Sequence, residues 1–267
     1  MRFPDYERVI YERNPLNEVL CQLRFPSILK VTSELPVDFQ EMIRTDYPNL
    51  VINRPINLPL PSSLTPEINN VLDSLVQMLA SETIYSFTSE DSQWQVSLSK
   101  DFIALSTKNY KKYEEFKQRF QYVLEIFEEL YKPSGYIRIG LKYQDLILPS
   151  RLGTQSNWKL LIKQHLIPEL YSEELASSVK GMQKTIVLEF DGGKATLQHG
   201  IVEVNSPDQQ IINEQAYFID TDFYTDERVV GKENVYRYLT NFNKLAGKLF
   251  RWSITDELHQ LLKPQPV

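Results

Sequence analysis

Two stretches of this chain, Asn109 to Tyr131 and Lys232 to Leu249, constrain its fold more than anything else in it. Each carries apolar residues at helical spacing, and each follows three short stretches in which apolar and polar residues alternate. A helix with one apolar stripe and strands with one apolar face must bury those surfaces against each other. In the first helix the stripe is Tyr113, Phe116, Phe120, Val123, Leu124, Phe127 and Leu130, and Lys132-Pro133-Ser134-Gly135 ends it. In the second it is Val235, Leu239, Phe242, Leu245, Ala246 and Leu249.

The alternating stretches before the first helix are Thr83 to Thr88, Gln93 to Ser99 and Phe102 to Thr107. Their connections, Glu90-Asp91-Ser92 and Lys100-Asp101, are short enough for hairpins. Before the second helix they are Lys184 to Phe190, Lys194 to Val204 and Gln215 to Phe223, with Asp191-Gly192-Gly193 as a turn. Each half opens on a longer strand, Leu16 to Phe25 and Tyr136 to Leu148, closed by Pro26 and Pro149. Short helices are expected from Val37 to Asp46, with Phe39, Met42 and Ile43 inward, and around Asn157 to His165. A further turn or two of helix is expected between Tyr171 and Lys180. Pro48 to Pro66 reads as an extended loop, because proline removes donors and fixes φ. Pro66 to Ser81 reads as an amphipathic helix, and Thr255 as the N-cap of a last short one.

The fold expected is α+β. Two pseudo-repeated strand–helix–three-strand–helix units, residues 1–133 and 134–267, form one curved antiparallel sheet with the long helices on one face. The order of elements carries this reading, since no fixed-period identity links the halves, and the two units are expected to fuse into one globular domain.

Hydrophobic residues at 42% and charged residues at 24% fit a packed chain rather than a disordered one. A net charge of −6 argues against general nucleic-acid binding, which needs a basic face. No apolar run approaches the roughly 20 residues needed to span a bilayer. Met1 to Tyr11 is charged and has no apolar signal core, and Cys21 alone excludes an intramolecular disulfide. These features point to a cytoplasmic protein with no membrane contact and no cofactor.

Motifs for chemistry are sparse. His165, His199 and His259 fall on different elements with no ligand spacing, and Cys21 reads as a small core residue. No catalytic residue and no metal site is assigned. Asp220 and Asp222 share a strand face, so the pair could hold a divalent cation or act as acid and base. A metal-dependent hydrolase or nuclease is therefore the alternative reading. The leading one uses the polar side of the sheet, where Arg24, Arg138, Lys142, Asp220 and Asp222 should converge as a ligand-binding surface. Guanidinium and ammonium groups there would meet an acidic or nucleotide-like group of a small ligand or partner protein. Cross-strand ion pairing on a wet face would give the same pattern. The expectation is a non-enzymatic binding or interaction protein working through this face or the Pro55 to Pro66 loop.

Several local signatures carry a family resemblance: Arg13-Asn14-Pro15-Leu16-Asn17-Glu18-Val19 with Gln22-Leu23-Arg24-Phe25, Phe102 to Thr107 with Tyr110, Arg138-Ile139-Gly140-Leu141-Lys142-Tyr143, and Ile254-Thr255-Asp256-Glu257-Leu258. Together they resemble a sporadically distributed bacterial family of uncharacterised proteins of about this length. The chain departs from that pattern at Lys142 and Gln144, where Arg and Asn are expected. The resemblance implies no activity. Its patchy distribution implies a bacterial accessory or defence context.

Overall fold

The computed structural model describes residues 3–53, 83–204 and 214–267. The first part of the chain gives β1 (Val9–Tyr11), β2 (Leu16–Arg24), α1 (Lys30–Ser33), α2 (Val37–Ile43) and β3 (Asn49–Asn53). Then come β4 (Ile84–Thr88), β5 (Trp94–Leu98), β6 (Phe102–Thr107) and the long α3 (Tyr113–Tyr131). After β7 (Arg138–Ile147) lie two single-turn helices, α4 (Pro149–Leu152) and α5 (Trp158–Leu161), and two 3-10 turns. The chain continues through β8 (Met182–Phe190), β9 (Gly193–Val204), β10 (Glu214–Thr225), α6 (Lys232–Ser253), α7 (Asp256–Leu261) and β11 (Pro264–Pro266).

Nine strands form one antiparallel sheet in the order β3-β4-β5-β6-β2-β7-β10-β9-β8, and β1 pairs with β11 apart from it. The protein is thus an α+β fold with a large antiparallel sheet and several helices. Alternation decides which side of the sheet is dry. Val19, Cys21 and Leu23 of β2, Ile139 and Leu141 of β7, and Ile219 and Phe223 of β10 are all fully buried. The residues between them face the other way.

Both long helices cover this dry side. In α3 the buried stripe is Tyr113, Phe116, Phe120, Val123, Leu124 and Phe127. Phe127 meets Phe25 beyond the end of β2, and Phe116 meets Trp94 of β5. Lys132 ends α3 in the left-handed region at φ 46°, and its N–H donates to the Glu128 carbonyl. In α6 the buried residues include Val235, Leu239, Phe242 and Leu249, and Phe242 packs against Phe190 and Phe223. Tilted and edge-on rings at these separations add to their area burial. One apolar cluster holds residues from both halves of the chain. No helix among the described residues is long and apolar enough to cross a membrane.

The structure departs from the sequence expectations in five places. Asn49–Asn53 is a strand at the sheet edge rather than loop, because Pro48 lies just outside it and β4 supplies its partners. The expected helix around Asn157 to His165 is one helical turn plus a 3-10 turn, and Tyr171 to Lys180 holds only turns. Met42 is exposed, while Phe39 and Ile43 are buried. The β1–β11 pair was not foreseen, since prolines at both ends of β11 hide its strand character. The rest of the Pro-rich loop and the helix expected from Pro66 to Ser81 lie outside the described residues. Thr255 caps α7 as expected, its hydroxyl accepting from the Leu258 N–H at 3.2 Å.

Phe242 should dominate stability in the second half. Replacing it with Ala is expected to cost about 3–5 kcal/mol in urea unfolding, against less than about 0.5 kcal/mol for exposed Leu160→Ala.

Candidate functional site

The open side of the sheet does gather the residues singled out by alternation. Arg24 and Arg138 stand directly opposite each other at the end of the β2–β7 ladder, and Lys142 stands opposite Asp222 and Leu20. Like charges placed directly opposite are unfavourable on a sheet. Carboxylates offset them: Arg138 donates to Asp222 at 2.6 Å, Lys142 pairs with Asp220 at 2.8 Å, and Arg24 pairs with Asp101 of the β5–β6 hairpin. Gln144 also donates to Asp220 at 3.3 Å, and the Arg138 guanidinium lies 4.7 Å from the Tyr224 ring centre. Asp101 had no place in the sequence reading, since a hairpin turn explains it equally well.

Gly140 leaves room for the Arg138 guanidinium, which folds over it. A Cβ built there would stand 2.5 Å from an Arg138 guanidinium nitrogen, so any larger side chain would displace that arginine. Leu20, Gln22, Arg24, Arg138, Lys142 and Asp222 surround a hollow of about 210 Å³. Three cations therefore ring the hollow against one lining carboxylate.

Asp220 and Asp222 share this face, yet each is already engaged by a cation. Among the described residues no group of three or more His, Cys, Asp or Glu comes together to hold a metal ion. The histidines stay apart. His165 stacks on Trp252, the His259 Nδ1 lies 2.8 Å from the Tyr11 hydroxyl, and the His199 Nδ1 lies 2.7 Å from the Tyr217 hydroxyl. Burial, with the Lys184 charge, holds His199 down at about 4.

Another cavity lies on the opposite, helix-covered side. About 560 Å³ lies open to solvent on one side between β7, β10, the start of α3, the second half of α6 and the N-terminal segment that carries β1. Asp145 of β7 is in its wall and is only 5% exposed. It follows Leu141 and Tyr143 on the dry phase of the strand, so alternation forces its carboxylate inward. Among the described residues no hydrogen bond or ion pair reaches that carboxylate. Burial first, and then the Asp220 charge across the sheet, push its pKa well above the carboxylate range. The signal was in the sequence: one acid on the apolar phase of an otherwise buried strand.

The chain matches no family model and no curated protein.

Asp145 sets a pH dependence with a definite sign. The unfolded carboxyl titrates at the ordinary value near 3.8, while the folded one holds its proton to higher pH. Native protein therefore binds the extra proton between those values, and stability falls as pH rises through them. Asp145→Asn removes that loss. Its melting temperature should exceed the parent's, by more at about pH 7.5 than at about pH 4.5, in parallel scanning calorimetry.

Proposed function

We propose that the protein is a non-enzymatic binding protein that takes an acidic group of a small ligand or partner protein on the open side of its sheet. The observation that carries this reading is the hollow over Gly140, with Arg24, Arg138 and Lys142 around it and one carboxylate, Asp222, in its lining. A guanidinium has five N–H donors in a planar fork, and a single carboxylate partner leaves some of them free. An incoming carboxylate or phosphate can therefore join Arg24 and Arg138 without stripping Asp101 and Asp222 away. Ion pairing alone explains the charges. It does not account for the space left open between two arginines on neighbouring strands.

The finer architecture belongs to the same reading. The sheet would curve so that its open side is concave, and residues 1–133 and 134–267 would be two copies of a strand–helix–three-strand–helix unit. The strand orders β4-β5-β6-β2 and β8-β9-β10-β7 support this, since each runs inward to the central pair, with β3 added outside β4 in the first half alone. The motifs at Arg13 to Val19 and Arg138 to Tyr143 would set the protein in the bacterial cytoplasm, in an accessory or defence context. The second candidate surface, Pro55 to Pro66, lies outside the described residues. A metal-dependent hydrolase or nuclease built on Asp220 and Asp222 loses ground, because each carboxylate is paired with a cation and no third ligand gathers beside them among the described residues.

Affinity capture from the native host, followed by mass spectrometry of proteins and small molecules, tests the proposal. The parent chain should retain an acidic species that the Arg24→Ala, Arg138→Ala double variant releases, with affinity reduced about tenfold or more. Binding should also weaken as salt rises. A double variant that holds the same species equally well would remove the open face from consideration.

A further inference from the structure

The cavity behind the sheet stands on observations independent of the open face. Its walls grade from a buried floor of Tyr113, Tyr143, Asp145, Ile219 and Thr221 to a basic rim, where Arg8, Lys248 and Arg251 are each paired with a carboxylate and Lys111, Lys112 and Lys244 face solvent. The N-terminal segment closes one side. It is tied down where Arg8 pairs with Glu114 of α3 at 2.8 Å, where Lys248 of α6 pairs with Asp5 at 2.6 Å, and where β1 pairs with β11.

Two chemical features dominate the interior. The first is Asp145, buried and without a hydrogen-bond or ion-pair partner among the described residues. A carboxyl desolvated without compensation destabilises the native state, so its presence on a core-facing strand position marks a role that packing does not serve. The second is the density of tyrosine: Tyr6, Tyr11, Tyr110, Tyr113 and Tyr143 all line the cavity. Tyr110 and Tyr143 meet edge to face with centres 5.8 Å apart. The Tyr143 hydroxyl donates to Asn243 at 2.8 Å, and the Tyr113 hydroxyl lies 3.4 Å from Thr240 Oγ1. Such bonds hold the rings in place. Burial pushes Tyr11 and Tyr113 up to about 12, so these walls are uncharged at neutral pH. Aromatic faces attract cations, most strongly once water is removed, and a carboxylate at the end of such a space completes the recognition.

We propose that this cavity binds a small organic cation, an amine with an aromatic or aliphatic body, whose charged end pairs with Asp145 and whose body lies among the tyrosines. A metal ion suits the cavity poorly, because one carboxylate is a single ligand and no group of three or more gathers among the described residues. An anion would find no cation on the buried floor to answer it, whereas an amine can draw the proton off Asp145 and pair with the carboxylate left behind. A neutral body of the same shape would leave the acid unpaired. The volume of about 560 Å³ lies within the range of small-molecule sites and admits a ring with a short side arm.

The test uses the full chain and three probes of nearly equal shape: phenethylamine, its alcohol analogue 2-phenylethanol and its acid analogue phenylacetate. Titration calorimetry at neutral pH should show the amine binding at least about tenfold more tightly than the alcohol, and no binding of the acid. Asp145→Asn should weaken the amine by about thirtyfold or more while leaving the alcohol within about twofold. Tyr110→Leu should narrow the gap between amine and alcohol. The comparison of probes on the parent chain needs no variant to fold. Absence of amine binding at millimolar concentration, equal binding of amine and alcohol, or undiminished amine binding by Asp145→Asn would each overturn the proposal. Neither arm involves Arg24 or Arg138, so this result and that of the open-face test are read separately.

Discussion

The antiparallel ladder between β2 and β7 is the joint on which everything else depends. It fastens the β3-β4-β5-β6 side of the sheet to the β10-β9-β8 side, and both long helices pack across the dry surface it makes continuous. Cys21 opposite Leu141 and Leu23 opposite Ile139 are fully buried pairs, so the joint is closed by apolar contact on one side. On the other side the same ladder sets Arg24 beside Arg138. The hydrophobic half of the ladder holds together what the charged half would push apart, and Asp101 and Asp222 offset the remainder.

Much of this was legible in the sequence, for identifiable reasons. Period-two alternation in Trp94 to Leu98 and period-3.6 stripes in α3 and α6 report local burial, and local burial is what those patterns encode. The sharing of one face by Arg24, Arg138, Lys142, Asp220 and Asp222 followed from the same alternation, since a strand offers only two sides. What pattern could not convey was pairing at a distance. Arg24 meets Asp101 through the order of β6 and β2, and β1 finds β11 across most of the chain. Asn49–Asn53 became a strand because an edge was vacant beside β4, not because of its own composition. The cavity around Asp145 needed three dimensions for another reason: its walls come from five separate segments, and only the misplaced acid marked it in one.

Most polar groups inside the core have a local explanation, although Trp158 Nε1 and the Tyr236 hydroxyl are buried without a partner among the described residues. Glu214 is buried but accepts two bonds from Ser150, through its backbone N–H and its hydroxyl, both at 2.7 Å. The Ser253 hydroxyl donates to the Leu249 carbonyl one helical turn back. His199 keeps one ring nitrogen on Tyr217 and stays neutral, which limits the cost of its other, unpartnered nitrogen. Against that background an unpaired buried carboxyl on the central strands is conspicuous.

Along β7 the side chains run Arg138, Ile139, Gly140, Leu141, Lys142, Tyr143, Gln144, Asp145, alternately to the wet and the dry surface. A slide of this strand by a single position would carry Lys142 into grease and bring Leu141 out into water. It would also turn Asp145 out beside Asp220, like charge against like, and carry Arg138 to the dry side. The misaligned pairing would thus forfeit core contacts and desolvate an ammonium in the same movement. Charge and grease together act as a ratchet on assembly, admitting one alignment of the two central strands and rejecting its neighbours before the helices close over them.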